Sequence, residues 1–421
     1  MRWLGRSGLL VAALGLACAM AGCGTGTADT DTARAPVALT ANPPASTPVA
    51  STPVASALAA KKRGVTKPAT GGVPVKLADH LYGLSCLGGD CFAVGDVTAG
   101  STSRTLIEAW NGTAWRVEAS PGNRSDSGLT AISCAAPARA PRTAAPGSCL
   151  VTGSPALAGR PTLTGSGGRW RTVAANLPMT SVSCARADSC VAVGWTTKDL
   201  TFTTWPGTTP RTGVMHAAPP QAQTFTMDGV SCAAVTNCVA VGDYAWGQSA
   251  QPSPKYRDQV LAERWNGRSW RLLPTVNVGH VDQFSAVSCV SASHCTAVGA
   301  SQQQFPLAER WNGVSWRVEP MPTVSSIGYV QLTGVSCPAS TFCVAAGNYQ
   351  GLPITETWNG TKWRIAELPQ PPNDNHFAEL NAVSCASPSS CVAVGMSGLG
   401  RSFAEVDTNG TWHVSATRNP T

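Results

Sequence analysis

Val383-Ser384-Cys385-Ala386-Ser387-Pro388-Ser389-Ser390-Cys391-Val392-Ala393-Val394-Gly395 reads as two short strands joined by a five-residue turn, with a cysteine on each side of the turn. The pattern occurs seven times, with cysteine pairs Cys86/Cys91, Cys134/Cys149, Cys184/Cys190, Cys232/Cys238, Cys289/Cys295, Cys337/Cys343 and Cys385/Cys391. Successive first cysteines lie 48, 50, 48, 57, 48 and 48 residues apart. A serine precedes every first cysteine, from Ser85 to Ser384, and a glycine follows every second strand, from Gly95 to Gly395. A repeat of this length means stacked units sharing one body, not a series of independent domains.

Reading outward from residue 289, Ser285–Cys289 and Cys295–Gly299 form the first two strands of a unit, Leu307–Trp311 the third and Trp316–Glu319 the fourth. Asn312-Gly313 marks a hairpin between the last two, because both residue types tolerate positive φ. The second strand is apolar on both faces, as expected for a sheet covered on both sides. Four short antiparallel strands per unit is the pattern of a propeller blade, and residues 80–421 resemble bacterial β-propellers. The expected fold is all-β: a seven-bladed β-propeller of four-stranded antiparallel blades, with one intrablade disulfide per blade. Helical solenoids lack the required 3.6-residue period here, and leucine-rich repeats are shorter. Val73-Pro-Val-Lys-Leu77 is a candidate for a strand lent to the last blade, whose own fourth strand is short.

Tryptophans flank the third turn of the unit, as Trp110/Trp115, Trp265/Trp270, Trp311/Trp316 and Trp358/Trp363, and their recurrence assigns them to packing between blades. Glu108, Glu263, Glu309, Glu356 and Glu405 stand two residues before the first-tryptophan position, and Arg116, Arg171, Arg271, Arg317 and Arg364 follow the second. Across a short hairpin these are expected to meet as exposed ion pairs, each contributing about 0.2–1 kcal/mol. Asp407-Thr-Asn-Gly-Thr-Trp412 looks like the Asp-box turn of sialidase-like propellers, with its glycine one place late. The resemblance, to sialidase-like or kelch-like blades, covers blade architecture and not their active-site motifs.

The N-terminus carries an address. A basic start (Arg2, Arg6) precedes an apolar core from Leu9 to Met20, which reads as a signal peptide over residues 1–22. Met20-Ala21-Gly22-Cys23 resembles the bacterial lipobox, which implies lipidation of Cys23; the alternative is an ordinary secretory cleavage site nearby. Of the 16 cysteines, Cys18 leaves with the signal and Cys23 takes the lipid, so the rest form complete pairs in an oxidising compartment. Residues 23–72, rich in Ala, Thr, Pro and Ser, have too few large apolar residues to fold and read as a disordered spacer ahead of the propeller at 73–421. The implied location is the outer face of the cell membrane, held by the lipid anchor alone, in an actinobacterial type of envelope.

Charged residues make up only 13% of the chain and the net charge is +7, with no basic block interleaved with aromatics, so nucleic acid is not an expected partner. Neither a cofactor nor a metal is called for, because the cysteine pairs recur one per blade and cannot converge as ligands. What recurs in every blade is architecture; what occurs once is a candidate for function. The longest departure is the connection between the second and third strands of the fourth blade, with Tyr244, Trp246, Tyr256 and Arg257. Loops entering the fifth and seventh blades carry His280, Asp282, Asp374 and His376. These eight residues are the candidate binding set. The expectation is a monomeric binding or scaffold protein for an envelope protein or polysaccharide. The rival is a glycoside hydrolase or lyase working at the top of the channel.

Overall fold

The computed structural model describes residues 77–418, apart from 122–126, 137–147, 154–160, 176, 207–208, 216–218, 248–255, 303–304, 323–328, 367 and 372–376. The leader, Cys23 and the Ala/Thr/Pro-rich spacer lie outside these residues, as do Asp374 and His376. The described residues form seven sheets in chain order, spanning 77–117, 129–175, 181–214, 224–273, 282–318, 330–366 and 378–415. Each is a four-stranded antiparallel meander. The fourth also carries a two-residue strand, Thr224–Phe225, beside its second strand.

All seven cysteine pairs are disulfides between the first two strands of a blade: Cys86–Cys91, Cys134–Cys149, Cys184–Cys190, Cys232–Cys238, Cys289–Cys295, Cys337–Cys343 and Cys385–Cys391. Six of them join residues directly opposed in the ladder, as Cys86 opposes Cys91 and Cys232 opposes Cys238. In the sixth blade the ladder register shifts between Ser336 and Ala339, so Cys337–Cys343 sits at an irregularity. The two cysteines of a pair are not equivalent. The second is buried in every blade, with Cys91 at 3%, Cys238 at 0% and Cys343 at 1% exposure, because it lies on the strand covered from both sides. The first is half-buried, on the innermost strand. By loop closure alone each short clamp contributes about 2 kcal/mol.

Alternation along the second strand explains why it is apolar throughout. In the last blade Cys391 and Ala393 pack toward the sixth blade, whereas Val392 and Val394 pack toward the first. Seven apolar clusters result, one in each gap between neighbouring blades. The paired tryptophans lie in these gaps with ring centroids 5.5–5.9 Å apart, so their packing role holds.

The serine before each first cysteine ties the blades together. Cys134 N–H donates to Ser85 Oγ, and the same bond runs from Cys184 to Ser133, Cys232 to Ser183, Cys289 to Ser231, Cys337 to Ser288 and Cys385 to Ser336, all at 2.9–3.0 Å. Cys86 N–H donates to Ser384 Oγ at 2.9 Å and closes the ring. A second, partial hoop runs through the residue four places before the first cysteine. There Thr333 Oγ1 donates to Leu380 O at 2.6 Å, Asn381 Nδ2 to Leu81 O at 2.9 Å and Thr180 Oγ1 to Met227 O, each across to the following blade.

Leu77 pairs with Ala99 in the first blade, and the seventh builds its fourth strand from its own Thr411–Ser415. Residues 73–76 of the candidate strand lie outside the described residues. At the closing junction Asp79 N donates to Gly400 O at 3.0 Å. One expectation needs correcting. The recurring glutamates do not form surface ion pairs. Glu108 lies opposite Val117 while Arg116 lies opposite Ala109, so the two charges point to opposite faces of the sheet. The glutamates are fully buried, and Arg116 instead pairs with Glu118 at 2.9 Å. Glu108 Oε2 accepts from Arg418 N at 3.0 Å and Glu309 Oε2 from Val276 N at 3.3 Å, hooking the chain as it leaves the preceding blade. Glu356 and Glu405 have no partner among the described residues.

The Asn-Gly turns are also built differently from a two-residue hairpin. The loops are four residues long, only the glycine has positive φ (Gly112, 89°; Gly313, 96°), and the asparagine Oδ1 accepts two amides of its own loop. As the second blade has Gly167 (56°) and Gly168 (81°) at positive φ between Ser166 and Arg169, the last blade has both turn residues there, Asn409 (55°) and Gly410 (85°), in a tight turn between Thr408 and Thr411. That accounts for its glycine standing one place late.

Ser384→Ala leaves the Cys86 amide without its acceptor at the closing junction, so denaturant unfolding should show a loss of about 1–3 kcal/mol with the disulfides intact. Burial raises Glu108 to about 7 and Glu309, Glu356 and Glu405 to about 8. The folded state therefore holds protons that the unfolded chain releases near pH ~4.3, so this contribution is full below that pH and is lost as pH rises to about 8. Glu356→Gln should accordingly gain melting temperature relative to the parent as pH is raised from 5 to 8, a difference read by calorimetry at each pH.

Candidate binding site at the channel mouth

The first strand of every blade lines a central channel, with a cavity of about 220 Å³ reaching all seven. One residue per blade, four positions before the first cysteine, lines it: Tyr82, Thr130, Thr180, Asp228, Ser285, Thr333 and Asn381. Five of these carry small hydroxyl or amide side chains. Tyr82 and Asp228 depart from the pattern, and they are the only titratable side chains among the described residues lining the cavity. They stand on the first and fourth blades.

Tyr82 belongs to a small network. Its hydroxyl is hydrogen-bonded with His80 Nδ1 at 3.1 Å, and His80 Nδ1 lies 3.9 Å from Asp96 Oδ1. Thr98 Oγ1 donates to Asp96 Oδ2 at 2.8 Å and orients the carboxylate. Burial, then the Asp96 charge and its hydrogen bond, hold the Tyr82 phenol well above its ordinary value, so it stays a proton donor.

Asp228 heads a chain of carboxyl groups leading away from the channel toward the fifth blade. Thr226 Oγ1 bridges Asp228 Oδ2 at 2.5 Å and Asp243 Oδ1 at 3.1 Å. Asp243 and Asp258 lie two positions apart in cross-strand register. Burial, with the neighbouring Asp258 charge, raises Asp243, and burial raises Asp258 as well. Asp228 is pushed up to about 6, chiefly by burial. Gln283 Nε2 donates to Asp258 Oδ2 at 2.7 Å from the fifth blade. Among the described residues no group of three or more His, Cys, Asp or Glu side chains is arranged to hold a metal ion.

The candidates read from the sequence divide. Tyr244 and Trp246 stack at 5.4 Å with an interplanar angle of 15°, half-buried at the end of the fourth blade's long second strand, and Tyr244 Oη donates to Gln259 Oε1 at 3.0 Å. Tyr256 is held above its ordinary value by burial and then by the Asp258 and Asp243 charges. Arg257 Nη1 donates to Tyr256 O at 2.9 Å. Asp282 is buried and spent on structure, since it accepts from Val278 N, Gly279 N and Ser301 Oγ at 2.6–2.8 Å. His280 is exposed, and its carbonyl accepts from Asp258 N at 2.9 Å. Neither His280 nor Asp282 lines the channel cavity. The disulfide cysteines have no part in the mouth either. Cys91, Cys238 and Cys343 are closed in apolar gaps between blades, so their role is structural. The two residues that break the cavity's symmetry, Tyr82 and Asp228, escape the sequence reading, although the column four before the first cysteine contains them.

No family model and no curated protein sequence matches the chain. Solved structures do match it in fold. The β-propeller domain of Cps50 (Swd1) from Myceliophteria thermophila is 10% identical over 80% of this chain and 97% of its own, with a TM-score of 0.50. The GH74 xyloglucanase from Xanthomonas campestris is 11% identical over 80% of this chain and 53% of its own, also at 0.50. YCF48 from Cyanidioschyzon merolae is 14% identical over 82% and 97%, at 0.48. At these identities the likeness is one of fold, a seven-bladed β-propeller.

Proposed function

We propose that this chain is a binding protein of the cell envelope, lipid-anchored through Cys23 on the extracytoplasmic side, and that it holds a polysaccharide or protein partner at the channel mouth. One observation carries the reading: Tyr82 and Asp228 break the column of small hydroxyl and amide groups around one polar channel cavity. The stacked Tyr244 and Trp246 end the fourth blade's long second strand. A ring of hydroxyl and amide groups with an aromatic pair beside it suits a hydroxyl-rich polymer, whose sugar faces stack and whose hydroxyls pair with fixed donors and acceptors. Loops on a rigid scaffold are the usual place for such a site.

A second reading, cleavage of the bound glycan, has its own support. Burial pushes Asp228, on the channel, up to about 6 and Asp243 beyond it up to about 8, a range suited to proton transfer.

Envelope polysaccharide fractions presented to the purified protein should be retained. Tyr82→Phe and Trp246→Ala should each weaken retention by about tenfold, corresponding to ~1.4 kcal/mol. Unchanged retention in both variants would remove the channel mouth from consideration. Release of new reducing or unsaturated ends by the parent protein, abolished in Asp228→Asn, would decide for cleavage. In the native host, Cys23→Ser should move the protein from the membrane fraction to the medium.

A further inference from the structure

Arg310 fills the disulfide end of the gap between the fifth and sixth blades. Its guanidinium carbon lies 4.5 Å from the ring centroid of Trp358, and Nη2 donates to Ser340 O at 2.8 Å. A planar, weakly hydrated cation on an indole face, with a carbonyl to receive its N–H, is a favourable arrangement in a partly desolvated gap. The repeat allows the same place to be found in every other gap. Arg310 stands immediately before the first-tryptophan position, and in the second blade that residue is Thr164. In the third blade Trp205 takes the place of Trp358 and Ala187 the place of Ser340.

Thr164 cannot reach across as an arginine does. Its hydroxyl is turned back on its own blade, donating to Cys149 O at 3.0 Å and hydrogen-bonded with Ser148 Oγ at 3.2 Å. What remains is a cavity of about 180 Å³ between the second and third blades, lined by Thr164, Arg171, Val173, Ala187, Asp188 and Trp205 among others. Asp188 occupies the position that is Thr341 in the sixth blade, so this gap gains a carboxylate that the arginine-filled gap lacks. Asp188 is 58% exposed at the rim, with Oδ1 3.3 Å from Arg186 Nε. Arg171 does not argue against a cation, because Arg317 holds the same position beside Arg310 in the fifth blade.

We infer that this cavity binds the guanidinium group of an arginine side chain from a partner protein. The group enters the cavity beside Trp205 and directs its N–H groups to the Ala187 carbonyl and the Asp188 carboxylate. The chain itself supplies the template, since it fills the homologous gap with the same group. The site lies at the disulfide end of the blades, away from the channel mouth, and does not depend on what binds there.

Titration of the purified protein with Nα-acetyl-arginine methylamide, followed by indole N–H signals and calorimetry, tests the inference. One saturable site per chain is expected, with the uncharged citrulline analogue bound at least about tenfold more weakly. Thr164→Arg places a guanidinium in the cavity from within and should abolish the site. Arg310→Thr empties the homologous gap and should raise the stoichiometry from one to two. Absence of saturable binding below ~10 mM, equal affinity for the citrulline analogue, or binding unaffected by Thr164→Arg would each overturn the inference. Melting curves of both variants show that they are folded, and Thr164→Arg decides alone if Arg310→Thr is not.

Discussion

A hydrogen bond from the amide of one blade's first cysteine to the serine hydroxyl of the blade before it recurs at every junction of this ring, including the one where the two ends of the propeller meet. Both partners sit beside the disulfide, so the covalent clamp that sets each hairpin also fixes the donor and acceptor that join it to its neighbours. The apolar gaps provide most of the burial energy, but apolar packing is not directional and does not set the angle between blades. The serine bond does, because its geometry tolerates little change. A ring of seven closes only if its steps sum to a full turn, and here the same short bond repeats at each step.

Against that regularity the exceptions become informative. The column four before the first cysteine is mostly small hydroxyl and amide groups, three of which donate to the next blade, whereas Tyr82 and Asp228 bring titratable groups to the channel. The position before the first tryptophan carries Arg310 in one gap and Thr164 in another, and the difference is an occupied site in the first and a cavity in the second. Tyr82 and Asp228 are departures from the repeat; Thr164 is not, since threonine also holds that position as Thr204 and Thr357.

The places where sequence reading fails have a common origin. The recurring glutamates read as surface groups because they flank a polar turn, yet each stands two residues before a buried aromatic position and so shares its face. The two-residue period of a strand contains the answer, since the arginine after the second tryptophan falls on the opposite face. His280 and Asp282 read as a polar pair because they are close in sequence, but Asp282 is consumed by amides of its own loop, as acidic residues in turns commonly are. Asp243 and Asp258 do not read as a pair, because they are fifteen positions apart in the chain and meet only through the pairing of two strands.

The sequence by itself determined the number of blades, their order, the disulfide pairing and the apolar faces, because each depends on residues within about fifty positions and on periods that repetition makes unmistakable. It also contained the serine, though not its use. Tertiary structure alone decided which groups face one another across blade boundaries. Ser384 meets Cys86 from the far end of the propeller, Arg310 of the fifth blade covers Trp358 of the sixth, and Trp205 is left beside a cavity. Such contacts depend on the relative rotation of neighbouring sheets, which no single repeat encodes and which exists only once the ring has closed.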